Sequence, residues 1–219
     1  TMGPNRYYQL EKLSGSEQIS TEHWKITIDD LINRRSIKFY QQPIQPCNNA
    51  TEVYRELLAR FYNVEGKHLP TTTVIAMAER YGMSVELDKM IVTQTIKVLS
   101  ENPSISGHMG VNISASSAHQ DGFTMWLKDI LTKNRGTAAR LVFELNESGM
   151  QTNLESSHNF VNEIHKAGAK VAIERFGLGF TSFKFFREVR PDFIKLDSSY
   201  SDNIEQDNNN KFFVRMIVD

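Results

Sequence analysis

Short apolar runs alternate along the chain with longer segments in which apolar residues recur at helical spacing. From Ile37 onward there are six such runs, at residues 38–44, 52–60, 109–114, 140–147, 170–176 and 192–197. Between them, Phe123, Leu127 and Leu131 follow the three- to four-residue period of an α-helix. Strands that alternate with helices in this way predict βαβ units and a mainly parallel sheet.

Glycine and proline mark the ends of two predicted helices. Gly168 follows a helical pattern around Phe160, and Pro191 follows another around Phe183. Upstream of the first strand, Trp24, Ile28, Leu31 and Ile32 predict one amphipathic helix. We interpret residues 1–36 as a linker and lead-in helix from an upstream domain, and residues 37–219 as the main domain. Residues 201–210 predict an exposed loop before a last helix.

Composition narrows the class of protein. Hydrophobic residues make up 40% of the 219 residues and charged residues 23%, which is typical of a globular domain. The net charge of -1 argues against a strong overall attraction to nucleic acid or membrane, although a local patch stays open. The single cysteine, Cys47, favours a reducing compartment, and no apolar run reaches the roughly 20 residues of a membrane span. These features predict a cytoplasmic domain.

Polar residues interrupt the apolar runs near the C-terminal ends of the predicted strands. They are Glu56, Asn112, Glu144, Glu174, Lys195 and Asp197. The ends of successive parallel strands converge on one rim, where barrel enzymes place their sites. Carboxylate and carboxamide oxygens are ligands for Mg²⁺, Mn²⁺ or Ca²⁺, and such sites usually hydrolyse phosphate esters. The alternative is that these are unrelated polar residues at strand ends.

Six motifs resemble, in order and spacing, those of the EAL domain family of bacterial cyclic-di-GMP phosphodiesterases. They are FYQQPI, ELLARF, VNIS, FELNES, AIERFGLGFTSF and DFIKLD. The resemblance implies an α/β fold, a TIM-like (β/α)8 barrel of EAL type with an antiparallel first strand. The family continues through two more strands after the sixth, so we expect the barrel to be truncated after about six strands here.

The resemblance also implies roles for individual residues. Glu56 matches the signature glutamate, here within ELL rather than EAL. Asn112 and Glu144 resemble two further metal ligands, and Lys195 resembles the lysine of the catalytic site. Glu147 is similar to the glutamate that steadies the loop after the fifth strand.

The match fails at one place, where the family has two adjacent aspartates that bring two metal ions together. Here those positions hold Glu174 and Arg175. A cation in place of a carboxylate turns attraction for a metal into repulsion, so we expect Arg175 to replace the second metal and to pair with Glu144, Glu174 or Asp197. The alternative is that Arg175 turns outward to solvent. We predict no bound metal, no cofactor and no catalytic residue, with Glu56 and Lys195 vestigial.

Three functional classes remain open. The first is an inactive regulator acting through protein contacts, and here the chain resembles the CsrD type, membrane-anchored regulators that promote ribonuclease-E-dependent decay of small RNAs. That type docks the glucose-specific IIA protein of the sugar phosphotransferase system. The second is a non-hydrolysing cyclic-di-GMP receptor of the LapD kind, favoured by Asn112 and by Arg60, which matches an arginine that reaches a ligand phosphate. The third is an active phosphodiesterase.

Exterior helix faces are the predicted partner surfaces. The candidate contact residues are Phe183, Phe186, Arg187, Arg190, Phe212, Phe213 and Met216. A truncated barrel would also leave open strand edges, which predicts self-association or a segment swap. The basic groups Arg34–Arg35–Lys38 and Lys184–Arg187–Arg190 are interpreted as solvated faces, with direct RNA contact as the alternative.

Overall fold

The computed structural model describes residues 21–45, 53–178 and 183–218. The strands are β1 (Ile37–Ile44), β2 (Tyr54–Tyr62), β3 (His68–Leu69), β4 (Met109–Asn112), β5 (Leu141–Asn146), β6 (Lys170–Phe176) and β7 (Phe193–Leu196). The helices are α1 (Thr21–Arg34), α2 (Thr71–Arg80), α3 (Ser84–Glu101), α4 (Ala115–Ala118), α5 (Asp121–Lys133), α6 (Arg135–Ala138), α7 (Glu147–Gln151), α8 (Leu154–Lys166), α9 (Phe183–Val189) and α10 (Asn208–Val218). A 3-10 turn covers Ser198–Tyr200.

Across these residues the strands form one sheet in the order β1-β2-β4-β5-β6-β7, with the short β3 paired to the last two residues of β2. Strand β1 runs antiparallel to β2, whereas β2, β4, β5, β6 and β7 run parallel to one another. The mixed α/β architecture with an antiparallel first pair is therefore confirmed. All six predicted runs form strands, and the two-residue β3 was not predicted.

The two faces of the sheet have different environments. Side chains alternate between the faces of a strand, and Val111, Phe143 and Ile173 pack with the helices in the main apolar core. Tyr54, Val142 and Ala172 form a smaller apolar cluster on the opposite face. The strand residues predicted for the site lie on this second face, which we call the inner face.

Helix α1 belongs to the packed body. Trp24, Ile28 and Leu31 are buried in the main core, so the predicted amphipathic helix is confirmed. Its apolar face contributes to the same core as the central strands. The division of the chain at residue 36 stays a prediction, although the packing joins the lead-in helix to the domain.

Two helices between β3 and β4 were not predicted. Helices α2 and α3 occupy residues 71–101, and α3 buries Leu87, Ile91 and Leu99 in the main core. The predicted ends of α8 and α9 are confirmed, with Gly168 in a left-handed conformation at φ 86°.

The described helices include none long and apolar enough to cross a membrane.

Some predictions fall on residues outside the described ranges. They concern the linker before residue 21, Cys47, the start of the run at Glu52 and residues 179–182 of AIERFGLGFTSF.

Candidate functional site

Five of the predicted polar residues meet on the inner face of the sheet. Glu56, Asn112, Glu144, Glu174 and Lys195 lie on β2, β4, β5, β6 and β7 respectively. Register explains the convergence, because Asn112 is opposite Glu144, and Glu56 is opposite the residue two before Asn112. One detail of the sequence prediction is wrong: Glu56 is the third of nine residues in β2, so it lies near the start of its strand.

Lys195 occupies the centre of the cluster. Its Nζ atom lies 2.8 Å from Glu56 Oε2, 3.1 Å from Glu144 Oε2 and 3.6 Å from Glu174 Oε2. Asn112 Nδ2 donates to the other oxygen of Glu56 at 3.0 Å. The lysine therefore supplies the positive charge that three converging carboxylates require.

Glu144 is the most buried carboxylate of the cluster. The Tyr54 hydroxyl donates to its Oε1 at 2.5 Å, and Lys195 holds its second oxygen. Burial raises the pKa of Glu144 above its usual range despite these two bonds. Burial and the hydrogen bond to Glu144 also raise the pKa of Tyr54, which therefore stays protonated as a donor.

Glu56 and Lys195 stabilise each other's charged forms. Burial alone would raise the pKa of Glu56, but hydrogen bonds from Lys195 and Asn112 outweigh it and lower that pKa. Burial alone would lower the pKa of Lys195, but the bond to Glu56 and the field of Glu144 raise it. The pair is therefore ionised near neutral pH.

Close packing on the inner face explains why residue 110 is a glycine. A Cβ atom on Gly110 would stand 2.8 Å from both Glu144 Oε1 and Tyr54 Cε2. Only glycine leaves room for the Tyr54–Glu144 hydrogen bond. The sequence prediction missed Tyr54 and Gly110, although the spacing of Tyr54, two residues before Glu56 on one strand, places both on one face.

The donor atoms fit one divalent cation. Carboxylate oxygens of Glu56, Glu144 and Glu174 lie within 4.8 Å of one another, and among the described residues they are the group that could hold a metal ion. Oxygen ligands of this kind suit Mg²⁺, Mn²⁺ or Ca²⁺. The ammonium of Lys195 lies among the same oxygens, so a cation would compete with it. The predicted absence of a metal stays a prediction.

Arg175 does not take the position expected for it. Its side chain is exposed, and Lys195 is the cation among the carboxylates. The cause is a bulge: β6 advances three residues from Ile173 to Phe176 while β7 advances two. Arg175 has a left-handed backbone at φ 53°, which breaks the alternation of the strand and turns the side chain to solvent. The outward orientation is the alternative named above.

Asp197 directly follows β7 and caps the 3-10 turn. Its carboxylate accepts a hydrogen bond from the Ser199 amide at 3.0 Å. Bonds from Ser199, together with the field of Arg175, lower the pKa of Asp197. Of the three expected partners, Asp197 is therefore the one that Arg175 influences, while Glu144 and Glu174 interact with Lys195.

The turn after β6 is fixed from two sides. Buried Glu147 accepts a hydrogen bond from the Gly177 amide at 2.8 Å, and the Tyr200 hydroxyl donates to the Gly177 carbonyl at 2.5 Å. Tyr200 in turn stacks on Phe213 of α10, with ring centroids 4.2 Å apart. Glu147 thus steadies the turn after β6, which is the fifth of the six strands predicted from the sequence. Sequence reasoning did not identify Tyr200.

Arg60 lies on the inner face, four residues beyond Glu56. Its Nη1 donates to the Ala59 carbonyl at 2.9 Å, and its guanidinium lies 5.9 Å from the centre of the Tyr40 ring. Arg60 and Tyr40 border an open depression of about 480 Å³, and Leu58, Tyr62 and His68 complete its lining. Arg60 is therefore placed on the same face as the carboxylate cluster but not within it.

The predicted partner residues are divided between surface and interior. Phe212, Met216 and Phe186 are exposed by 70%, 43% and 41%, which leaves large apolar side chains open to contact. Arg187 and Arg190 are also exposed. Phe213 is half-buried against Tyr200, so it packs within the domain. The side chain of Phe183 lies outside what the structure describes.

Comparison with known proteins identifies the fold and family that the sequence motifs predict. The EAL domain model matches residues 26–219. Cyclic di-GMP phosphodiesterase PdeA of Borreliella burgdorferi is 28% identical over 163 residues, covering 74% of this chain and 24% of that protein. RNase E specificity factor CsrD of Escherichia coli is 22% identical over 197 residues, covering 90% and 30%. The chain thus spans less than a third of these relatives.

A solved structure gives the same result for the fold. The S helix-GGDEF-EAL structure of Vibrio cholerae LapD superposes with a TM-score of 0.80 at 23% identity, covering 90% of this chain and 48% of that one. At this identity the likeness concerns the fold alone. The family model covers most of the chain, and the chain belongs to the EAL domain family.

Proposed function

We propose that this EAL domain serves cyclic-di-GMP signalling as a regulatory module that does not hydrolyse the dinucleotide. The observation that supports the proposal is the composition of the carboxylate cluster. Its three described carboxylates surround one position, and the residue after Glu174 is Arg175 rather than a second acid. By resemblance, hydrolysis in the family uses two metal ions brought together by two adjacent aspartates.

The residue after Glu174 supports the same proposal. Arg175 is exposed and turned to solvent, so it supplies neither a carboxylate nor a contact with the cluster. A second metal near Glu174 would therefore lack the second acidic ligand that the family resemblance implies. A single cation held by Glu56, Glu144 and Glu174 would supply Lewis acidity towards a phosphate when bound. Among the protein's own groups, the carboxylates of Glu56 and Glu144 bind the Lys195 ammonium. The Tyr54 hydroxyl orients the Glu144 carboxylate.

We further propose that the domain acts through protein contacts, as a factor of the CsrD type. The sequence Glu56–Leu57–Leu58 in place of EAL and the 22% identity to CsrD support this assignment. The proposed partner is the unphosphorylated glucose-specific IIA protein, and the proposed pathway is ribonuclease-E-dependent decay of small RNAs. Exposed Phe212 and Met216 of α10 offer apolar anchors on the exterior.

Turnover of cyclic di-GMP tests the first proposal. We expect less than about 0.1 s⁻¹, a hundredth of a typical enzymatic rate of about 10 s⁻¹, in Mg²⁺ or Mn²⁺. The double variant Glu174→Asp, Arg175→Asp should bind Mn²⁺ more tightly than the unaltered sequence. Faster turnover by the unaltered sequence would reject the proposal.

Titration with the two forms of the IIA protein tests the partner. Phosphorylation adds up to two negative charges to a contact that must be desolvated, so we expect much weaker binding of the phosphorylated form. Phe212→Ser should weaken binding of the unphosphorylated form, whereas Met125→Ser, at an exposed position of α5, should not. Equal affinity for the two forms would reject this partner.

A cyclic-di-GMP receptor of the LapD kind is the second candidate. The observation that favours it is the open depression beside Arg60 on the inner face. Calorimetry with cyclic di-GMP separates the two candidates. Micromolar binding that Arg60→Ala abolishes would favour the receptor, and no binding at millimolar ligand would favour the protein-contact regulator.

A further inference from the structure

The hairpin of β1 and β2 carries a concentration of cations and aromatic rings at the end remote from the carboxylate cluster. Lys38 and Arg60 are directly opposite each other across the two strands. Tyr40 and Tyr62 stand diagonally beside them on the same face. We call these four residues the hairpin patch. Arg60 is four residues beyond Glu56, which corresponds to about 13 Å along a strand, so the hairpin patch is separate from the carboxylates.

The opposed cations are unfavourable in isolation. Like charges directly across an antiparallel pair destabilise the sheet, because their Cβ atoms are only about 5 Å apart. Among the residues that the structure describes, neither Lys38 nor Arg60 forms an ion pair with a carboxylate. Their repulsion is therefore relieved by solvent or by an anionic ligand held between them.

Each cation lies against a flat ring. Lys38 Nζ lies 4.9 Å from the centre of the Tyr62 ring, and the Arg60 guanidinium lies 5.9 Å from that of Tyr40. Tyr40 is 56% exposed, which leaves ring surface open to a second planar group. His68 meets Tyr62 edge-on at 5.7 Å. The open depression along this face has room for such a group.

Basic residues continue the hairpin patch at its flanks. Arg35 precedes β1, Lys67 precedes β3, and both are exposed. The Tyr62 amide donates to the Ser36 carbonyl and the Asn63 amide donates to the Lys67 carbonyl, which brings both flanks to the same end of the hairpin. Within residues 60–68 the sequence contains one acid, Glu65. The positive surface is therefore longer than the opposed pair alone.

We propose that the hairpin patch binds single-stranded nucleic acid, with phosphates at Lys38 and Arg60 and bases stacked on Tyr40 and Tyr62. Proteins that bind single strands combine a positive groove with aromatic platforms on which bases stack. An acidic protein would use the cations but would gain little from the exposed rings. Of these residues only Arg60 has a role implied by the family resemblance. The proposal goes beyond the proposed function, and its failure leaves the hydrolysis result unaffected.

Fluorescence anisotropy with a labelled 12-nucleotide oligouridylate tests the proposal between 50 and 200 mM salt. Lys38→Gln and Arg60→Gln should each reduce the slope of log affinity against log salt by about 0.7, because each removes one phosphate contact. Tyr40→Leu should weaken binding about ten-fold without changing that slope. Lys133→Gln is the matched control, since Lys133 is exposed on α5 and paired with Asp129.

Three results would overturn the proposal. They are no binding at 50 mM salt, equal losses in Lys133→Gln and Lys38→Gln, and displacement of the oligonucleotide by polyaspartate of matched charge. The last would identify a surface that binds any polyanion. A salt slope reduced only by the hairpin variants, together with the Tyr40→Leu loss, would support it.

Discussion

Lys195 is the residue on which the carboxylate cluster depends. We expect Lys195→Met to lower the free energy of unfolding by about 2–3 kcal/mol at pH 7, because removing one partner leaves buried charge uncompensated. Millimolar Mg²⁺ should recover part of the loss, since Glu56, Glu144 and Glu174 then have no ammonium among them. Chemical denaturation with and without Mg²⁺ measures both effects. Lys133→Met, on an exposed surface pair, should change stability by less than about 0.5 kcal/mol.

The pH dependence of that loss follows from the raised pKa of Lys195. A raised folded-state pKa contributes stability that is complete below the unfolded pKa, about 10.4, and is lost as pH rises through the folded value. The difference between Lys195→Met and the unaltered protein should therefore persist at pH 8 and shrink in strongly alkaline solution. A difference that is absent at pH 8 would contradict the ion-pair assignment.

Asp88 is another buried carboxylate, and Ser114 donates hydrogen bonds to it. The Ser114 amide and hydroxyl both donate to its Oδ2, at 3.1 and 2.6 Å. Burial nevertheless raises the pKa of Asp88. Its contribution to stability is present below the unfolded pKa of about 3.9 and is lost as pH rises through the folded value. We expect Asp88→Asn to be about 1 kcal/mol more stable at pH 7, because it removes the buried charge.

Urea unfolding at pH 7 and pH 4 measures this gain, which should diminish at the lower pH. Ser114→Ala is the informative control, because it removes a donor and leaves the carboxylate buried. That variant should lose about 1–3 kcal/mol at pH 7. If Asp88→Asn were less stable than the unaltered protein at pH 7, the ionised Asp88 carboxylate would have to stabilise the folded state.

At the scale of elements, the turn after β6 depends on a glycine. Gly177 has φ 96°, and a Cβ there would lie 2.7 Å from the Tyr200 ring and 2.9 Å from the Phe213 ring. Gly82 has φ 67° with nothing within 4 Å of its Cβ position. We expect Gly82→Ala to lose about 1 kcal/mol for the backbone alone and Gly177→Ala to lose about 2–3 kcal/mol.

Thermal unfolding of the two glycine variants measures the difference, which isolates the steric part. Equal losses would mean that Tyr200 and Phe213 move aside without cost. In that case the stacked pair would not fix the position of the turn.

The strands were predictable because each is an apolar run that ends in turn residues, as Lys170–Phe176 does before Gly177. Helix α3 was not predictable in this way, because the polar residues Asp88 and Thr95 are buried among its apolar residues and weaken the helical periodicity. The convergence of Glu56, Glu144 and Lys195 followed from strand order. The orientation of Arg175 could not be predicted, since a one-residue bulge in β6 has no marker at a non-glycine residue.

At the scale of the whole molecule, the sheet is unequally protected. Strands β4 and β5 have paired neighbours on both sides and are almost wholly buried, whereas β1 is mostly exposed and, among the described strands, pairs with β2 alone. We expect amide hydrogen exchange to be slowest at Val111 and Phe143 and much faster at alternate amides of β1. Mass-spectrometric exchange measures this. Uniform protection across β1 would show that another segment or a second molecule covers its edge.

A short path joins the carboxylates to α10. Glu174 lies three residues before Gly177, whose carbonyl bonds Tyr200, and Tyr200 stacks on Phe213. A protein that docks on Phe212 and displaces α10 would therefore shift the position of Glu174. Conversely, a ligand that draws the Glu174 side chain inward would shift the position of α10. Linkage requires the two effects to be equal: the factor by which the protein changes the ligand's affinity is the factor by which the ligand changes the protein's. With or without turnover, such a domain would transmit information in both directions between its interior and its surface.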